Sequence, residues 1–253
     1  MSGDVTLIEG GDGGVSRLVR TASALFGRPG FGPAALVGGL AVTVRLATVH
    51  RATNDVDAVC DGDAPLEYVG EGDVRGSQRV EIDGVKVDVM PTSPLPATAA
   101  GLPDGDLDRL FVLGHRWALE SAESLVVRVV TANESGFGGA HTLVVAAAPA
   151  LVACKFHAIA DRRDARREKR ESDALDLARL IGGLVRTPMI AQQFAAAPFD
   201  LAALVSSQTE RWLIDDAARM ARLMNMSTGA GDAKVNPADI ATIGELFVEM
   251  LAA

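Results

Sequence analysis

Two stretches, Leu36-Val-Gly-Gly-Leu-Ala-Val-Thr-Val-Arg45 and Arg51-Ala-Thr-Asn-Asp-Val-Asp57, decide the predicted fold of this chain. The first predicts a short strand that enters Gly38-Gly39 and a helix that leaves it. A glycine turn between a strand and a helix offers free backbone N–H groups, and the helix dipole favours an anion there. A glycine pair alone is usually only a turn, so its interpretation depends on the acidic residues that follow.

The second stretch ends in two aspartates separated by one residue. Asp55 and Asp57 fall on the same face of a predicted strand, because side chains alternate along a strand. A third acid, Asp88, lies within the apolar alternating run Val85–Met90. Valines flank all three acids, and a partly buried group of carboxylates is costly without a cation. The pattern therefore indicates a nucleoside triphosphate held on divalent metal.

The rest of the chain separates into an α/β part and a helical part. Asp83-Gly84 is the dipeptide that a type I′ hairpin turn requires, and Asn236-Pro237 begins the last helix. Residues 1–14 look like a loose lead-in, and Ser16 is the expected N-cap of the first helix. Hydrophobic periodicity predicts further elements: a helix at 16–26, strands at 125–130 and 142–145, and helices at 150–160 and 172–181. We place the boundary near residue 146, which gives parts of 1–146 and 147–253.

Composition excludes several classes of protein. The chain has 253 residues, 48% of them hydrophobic, which predicts a globular protein with a real core. A net charge of −9 argues against a general nucleic-acid coat, because such a coat needs a basic surface. Two cysteines give no disulfide framework and no metal-ligand spacing. We see no secretory signal and no run long enough to span a bilayer, so we expect a cytoplasmic protein without a membrane partner.

Lys155 lies in the otherwise apolar helical segment Leu151–Ile159. A lone lysine there can simply extend its ammonium group to water, or it can serve a binding site. Downstream, Asp161–Glu171 mixes basic and acidic residues. The ordinary explanation is a solvated helix with ion pairs one turn apart, and the alternative is a contact for the acceptor end of an RNA.

Taken in order, the apolar-Gly-Gly, Asp-x-Asp and apolar-Asp-apolar segments resemble the nucleotidyltransferase superfamily of the DNA polymerase β fold. Gly38-Gly39-Leu-Ala, Arg51-x-Thr53-x-Asp55-x-Asp57, Lys155 and Asp173-Ala-Leu-Asp176-Leu more narrowly resemble the AbiEii/MenT-type toxin nucleotidyltransferases. The resemblance runs from about residue 34 to about residue 181. It implies an α+β fold in which a mixed sheet is flanked by helices and followed by a helical C-terminal part that completes the active site.

The resemblance also implies roles for these residues. Asp55, Asp57 and Asp88 are the expected ligands of two Mg²⁺ ions, which neutralise charge in an in-line displacement at phosphorus. Gly38 and Gly39 are expected to hold the triphosphate of the NTP, with Arg51 and Thr53 near its phosphate or ribose. Lys155 is expected to reach the triphosphate as a point charge, oriented by Asp173 or Asp176.

The same resemblance predicts a toxin of a toxin–antitoxin pair that adds nucleotides to the 3′ end of tRNA, with a cognate antitoxin as a further partner. A second hypothesis keeps the chemistry and changes the acceptor to a small molecule or a protein hydroxyl. A third is a relative that binds nucleotide without turnover. Two departures stand out: many members have Gly-Ser where this chain has Gly38-Gly39, and the charged insert Asp161–Glu171 leaves the choice between Asp173 and Asp176 open.

Overall fold

The computed structural model describes residues 3–10, 13–28, 31–62, 78–131, 137–161, 167–187, 190–229 and 234–252. These residues form two compact units. The sheet unit comprises residues 1–95 and 118–147, and the helical unit comprises residues 96–117 and 148–253. Half of the charged insert that the sequence singles out, residues 162–166, lies outside the described residues.

The elements of the sheet unit are β1 (Gly3–Glu9), α1 (Gly14–Phe26), β2 (Ala34–Val37), α2 (Gly38–Leu46), β3 (Asp55–Asp61), β4 (Gln78–Ile82), β5 (Val85–Thr92), β6 (Glu123–Thr131) and β7 (Phe137–Val145). Among the described residues, these strands form one mixed sheet of seven in the order β1-β6-β7-β2-β3-β5-β4. Three strand pairs are parallel, namely β1/β6, β2/β7 and β3/β5. The mixed sheet with flanking helices and a helical part after it confirms the predicted fold class.

The predicted strand, glycine pair and helix at the centre of the sheet are confirmed. All four residues of β2 are buried, as expected of a short apolar strand with neighbours on both sides. Helix α2 begins at Gly38 directly after the last residue of β2. The hairpin is also confirmed: Asp83 and Gly84 have φ angles of 52° and 75°, the two positive values that a type I′ turn needs.

The expectation of a loose lead-in at residues 1–14 is wrong for Gly3–Glu9. This segment is strand β1, which pairs in parallel with β6 from Gly3 opposite Leu125 to Glu9 opposite Thr131. Its inward-facing Leu7 is fully buried. The pairing partner lies more than a hundred residues away, so the local glycine-rich composition concealed the strand.

The expected N-cap role of Ser16 is also wrong. Helix α1 begins at Gly14, before Ser16, and the buried carboxylate of Glu9 occupies the place of a cap. Glu9 accepts hydrogen bonds from the backbone N–H groups of Val15 and Ser16 at 2.9 Å and 3.0 Å, and another from the Ser16 hydroxyl. A carboxylate at a helix N-terminus satisfies orphan donors and complements the dipole.

The helical unit contains most of α3 (Asp106–Glu120) together with all of α4 to α9. These are α4 (Ala148–Asp161), α5 (Arg167–Leu184), α6 (Ile190–Ala195), α7 (Leu201–Thr209), α8 (Ala217–Met226) and α9 (Pro237–Ala252), with a π-helical segment (Glu210–Asp215) between α7 and α8. The predicted helices at 150–160, 172–181 and after Asn236 correspond to α4, α5 and α9. Phe194 links this core, with its ring centroid 5.5 Å from Trp117 and 5.6 Å from Phe247. Within the described residues, no helix is both long and apolar enough to cross a membrane.

Candidate active site

The three predicted aspartates come together on the neighbouring strands β3 and β5. In the register of the sheet, Asp57 on β3 lies opposite Val37 on β2 and opposite Asp88 on β5. Asp55 lies two residues before Asp57 and therefore shares its face of β3. One carboxylate oxygen from each of the three acids lies within 4.8 Å of the others, and all three side chains are half-buried.

This donor set fits a divalent cation. Mg²⁺ prefers oxygen ligands and commonly binds through one or two carboxylates plus substrate phosphates, keeping several waters. Three carboxylates this close together repel one another when ionised, and partial burial weakens the screening of that repulsion. A cation removes the repulsion, so the residues present are chemically suited to a magnesium centre.

Asp55, Asp57 and Asp88 together are called the acidic group. The glycine pair lies directly against this group because glycine has no side chain. Gly38 has a φ angle of +69°, and a Cβ atom at this position would lie 2.6 Å from Cγ of Asp57. At Gly39, a Cβ atom would lie 3.0 Å from Oγ1 of Thr53 and 3.2 Å from Cζ of Arg51. The structure thus brings Gly38 against Asp57, and Arg51 and Thr53 against the adjacent Gly39. The cap residue of α2 is Val37, which has no side-chain acceptor for the first N–H groups of the helix.

Arg79 is a site residue that the sequence analysis missed. Its guanidinium donates to both carboxylate oxygens of Asp88, with Nε to Oδ1 and Nη2 to Oδ2 both at 2.6 Å. The pKa of Arg79 is raised, mainly by the hydrogen bond from its guanidinium to Asp88 and by the charge of Asp88, with smaller contributions from Asp55 and Asp57. Any cation that Asp88 helps to hold must share this carboxylate with Arg79.

A signal for Arg79 was present in the sequence. A two-residue Asp83-Gly84 turn fixes the hairpin register, because each step back along β4 matches one step forward along β5. Counting from Ile82 opposite Val85 places Arg79 opposite Asp88, as the structure shows. The hairpin register therefore identifies the partner of the third aspartate.

The structure also brings together Lys155, Asp173 and Asp176, all within the helical unit. The ammonium group of Lys155 on α4 donates to Asp173 Oδ1 and to Asp176 Oδ2 on α5, both at 2.7 Å. The three side chains are 6%, 6% and 0% exposed, which excludes the interpretation of a lysine that extends to water. Lys155 contacts both aspartates, so the geometry does not single out one of them.

Burial in α4 also affects the neighbouring cysteine. The pKa of the Cys154 thiol is raised to about 12, because full burial disfavours the thiolate more than the nearby charge of Lys155 favours it. A thiol with this pKa stays protonated at neutral pH and is a poor nucleophile. Cys154 is therefore a packing residue of the helical core.

We expect Gly38→Ala to weaken divalent-cation binding about tenfold, since the new methyl group would displace the Asp57 carboxylate. Gly84→Ala is the matched control: Gly84 also has a positive φ angle, but no atom lies within 4 Å of a Cβ placed there. Both variants should lose about 1–2 kcal/mol of stability from backbone strain. Mn²⁺ titration followed by electron paramagnetic resonance measures the binding, and equal affinities for the two variants would contradict the expectation.

No family model matches the chain, and no curated protein matches it. Two solved structures are similar to it. A crystal structure of ANT(2″)-Ia in complex with adenylyl-2″-tobramycin is 16% identical, with a TM-score of 0.36 over 78% of this chain and 98% of that chain. A solution structure of the antibiotic-resistance factor ANT(2″)-Ia is also 16% identical, with a TM-score of 0.32 over 72% of this chain and 94% of that chain.

These similarities are too distant to assign the chain to a family. None of the comparisons connects it with the AbiEii/MenT-type toxins, so that narrower assignment stays a prediction from the sequence. The residues of the site are therefore the basis for assigning its chemistry.

Proposed function

We propose that the sheet unit carries a metal-dependent nucleotidyl-transfer site that uses an NTP as donor. The observation that carries this proposal is the convergence of Asp55, Asp57 and Asp88 within 4.8 Å beside the glycine pair that opens α2. A carboxylate group alone is a common surface feature. Its position beside the N-terminus of α2, whose cap residue Val37 offers no side-chain acceptor, supplies the two elements that a metal-bound triphosphate requires, namely oxygen ligands and anion-binding donors.

Each residue of the site has a task in this proposal. The three aspartates hold the two Mg²⁺ ions, and the backbone N–H groups at Gly38 and Gly39 donate to phosphate oxygens of the NTP. Arg51 and Thr53, which lie against Gly39, contact phosphate or ribose. A bound Mg²⁺ supplies charge neutralisation for the α-phosphate and the leaving pyrophosphate.

The proposed reaction forms one bond to the α-phosphorus and breaks another. A hydroxyl oxygen of the acceptor forms a bond to the α-phosphorus, and the bond from that phosphorus to the bridging oxygen of pyrophosphate breaks. The hydroxyl proton is released to solvent, and the products are a nucleotidylated acceptor and pyrophosphate. The aspartates would hold the metal ions, which would supply charge neutralisation, and no protein residue is covalently modified in the reaction.

The proposal also includes the predicted roles of Lys155, Asp173 and Asp176 and of the helical part in completing the site. Supporting evidence for these roles is the sequence resemblance. The buried contacts of Lys155 with both aspartates offer a second explanation, since this lysine balances their charge within the helical unit.

For the acceptor, we propose the 3′ end of tRNA, as the resemblance implies for a toxin of a toxin–antitoxin pair. The test incubates the protein with each of the four α-³²P-labelled NTPs, Mg²⁺ and total tRNA. Parallel reactions replace tRNA with an aminoglycoside mixture or omit any added acceptor. Label on tRNA that disappears with EDTA supports the full proposal, whereas label on an aminoglycoside or on the protein itself keeps the chemistry and replaces the acceptor.

Nucleotide binding without transfer to any acceptor would overturn the enzymatic proposal. Mn²⁺ titration provides a readout that does not depend on finding the acceptor. If wild-type protein bound Mn²⁺ no better than an Asp55→Asn variant, the acidic group would not be a metal site. Expression toxicity in bacteria that a metal-site variant relieves would separately support the toxin role.

A further inference from the structure

A second candidate site lies entirely within the helical unit. It is a cavity of about 430 Å³ whose lining includes Asp106, Arg170, Gln208, Arg211, Trp212 and Arg219. Its volume falls in the range of small-molecule sites, which begins at about 300 Å³. None of its lining residues belongs to the acidic group or to the glycine pair.

Three arginines of this cavity gather on one indole ring. The Cζ atoms of Arg170, Arg211 and Arg219 lie 5.3 Å, 5.8 Å and 5.2 Å from the ring centroid of Trp212. Each distance is within the range of a cation–π contact. Three guanidinium groups on one ring also repel one another, and an anion between them removes that repulsion.

Trp212 itself lacks a partner that its burial demands. The residue is 2% exposed, and its indole Nε1, which can only donate, has no hydrogen-bond acceptor among the described residues. Gln208 Oε1 is likewise buried without a donor. Buried polar atoms without partners are costly, so the two atoms together call for a ligand that both accepts and donates.

The backbone around Trp212 is unusual as well. Arg211 and Trp212 belong to the π-helical segment between α7 and α8. Such segments are rare and occur frequently at functional sites, since the extra residue per turn redirects side chains. Here the segment directs Arg211 and Trp212 toward the same cavity as Arg219 of α8.

The charges of the lining specify the class of ligand. Three guanidinium groups line the cavity against the carboxylate of Asp106, and Asp216 lies 4.0 Å from Arg219, so positive groups outnumber negative ones and favour an anionic ligand. Phosphate oxygens also accept the forked N–H groups of arginine and an indole N–H, and a hydroxyl of the same ligand can donate to Gln208.

We infer that this cavity binds a phosphate monoester of nucleotide size. Guanidinium groups and the Trp212 N–H hold the phosphate, and Gln208 accepts from a hydroxyl of the attached sugar or alcohol. The inference does not rest on the proposed nucleotidyl transfer, because the two sites share no residue. A cavity that binds such a ligand gives the helical unit a recognition role of its own.

Isothermal titration calorimetry of the full chain tests the inference. Inorganic phosphate, ribose 5-phosphate, AMP and acetate are the probes, at constant ionic strength and with EDTA present, which removes metal-dependent binding in the sheet unit. Ribose 5-phosphate or AMP should bind more tightly than inorganic phosphate, and acetate, a single carboxylate, should bind most weakly. Each of Arg211→Gln and Arg219→Gln should weaken the binding about tenfold.

Arg222→Gln is the matched control, because Arg222 is an exposed arginine of α8 that does not line the cavity. It should bind like wild type. Arg211 and Arg219 are exposed at the rim, so their variants should fold, which circular dichroism checks. Equal binding by all three variants, tighter binding of acetate than of ribose 5-phosphate, or no binding at millimolar concentrations would each overturn the inference. Binding of a 5′-phosphorylated RNA oligonucleotide in preference to both monomeric phosphates would also overturn it.

Discussion

An Asp57→Asn variant is expected to lose the proposed nucleotidyl transfer by about a thousandfold while keeping its fold. Charge stabilisation by a bound metal ion contributes several kcal/mol, and about 4 kcal/mol corresponds to three powers of ten in rate. Asp57 is the central member of the acidic group, because it lies opposite Asp88 in the sheet and against Gly38 in the turn. Asparagine keeps the shape of the side chain and removes its charge.

Stability should not follow activity. The substitution removes the repulsion of Asp57 by Asp55 and Asp88 together with its attraction to Arg79, so the melting temperature of Asp57→Asn in metal-free buffer should stay close to that of wild type. Thermal melting and Mn²⁺ titration measure the two effects independently of the acceptor. A loss of activity together with a loss of folding would indicate a structural role.

Asp61→Asn is the matched control for this experiment. Asp61 lies on the same strand and is exposed, but it is not a member of the acidic group. The control should retain transfer within about threefold of wild type, as expected for a surface change of under 1 kcal/mol. If Asp57→Asn behaved like Asp61→Asn, the proposed function of the sheet unit would be wrong.

A Lys155→Met variant is expected to destabilise the helical unit by about 3–5 kcal/mol, because it leaves two buried carboxylates without their cation. The side chains of Asp173 and Asp176 are 6% and 0% exposed, so water cannot replace the lost hydrogen bonds without opening the packing of α4 on α5. Chemical denaturation followed by far-ultraviolet circular dichroism measures the effect. A loss below 1 kcal/mol would show that the group does not hold the helices together.

The triple variant Lys155→Met/Asp173→Asn/Asp176→Asn separates structure from catalysis. It removes all three charges and keeps the volumes, so it should recover much of the lost stability. If Lys155 also contacts the triphosphate, the recovered protein should still have a raised KM for NTP. An unchanged KM in the stable triple variant would restrict Lys155 to its structural role.

Much of the sheet unit could be predicted because its signals are local. Asp83-Gly84 requires two consecutive positive φ angles, and Asp55-Val-Asp57 places two acids on one face by alternation alone. Strand β1 was missed because its partner, β6, begins at Glu123 in the chain. No local pattern reports a pairing over that distance.

The helical unit shows the limit of local signals more clearly. The sequence predicted α4, α5 and α9 from periodicity and start signals, but not the short helices α6 to α8 or the π-helical segment. Arg170, Arg211 and Arg219 come from three separate elements, and each looks like an ordinary surface arginine in the sequence. Their meeting on Trp212 follows from packing.

By itself, the sequence determined the backbone geometry and the residue types of the candidate active site. Glycine at position 38, with its positive φ angle, and the alternating Asp55 and Asp57 are properties of a few consecutive residues, so short-range sterics fix them. The tertiary structure decided which distant groups share space. It paired β1 with β6, Lys155 with both aspartates, and three arginines with one indole ring. These contacts depend on the packing of separate elements, because burial and charge balance are properties of the assembled core.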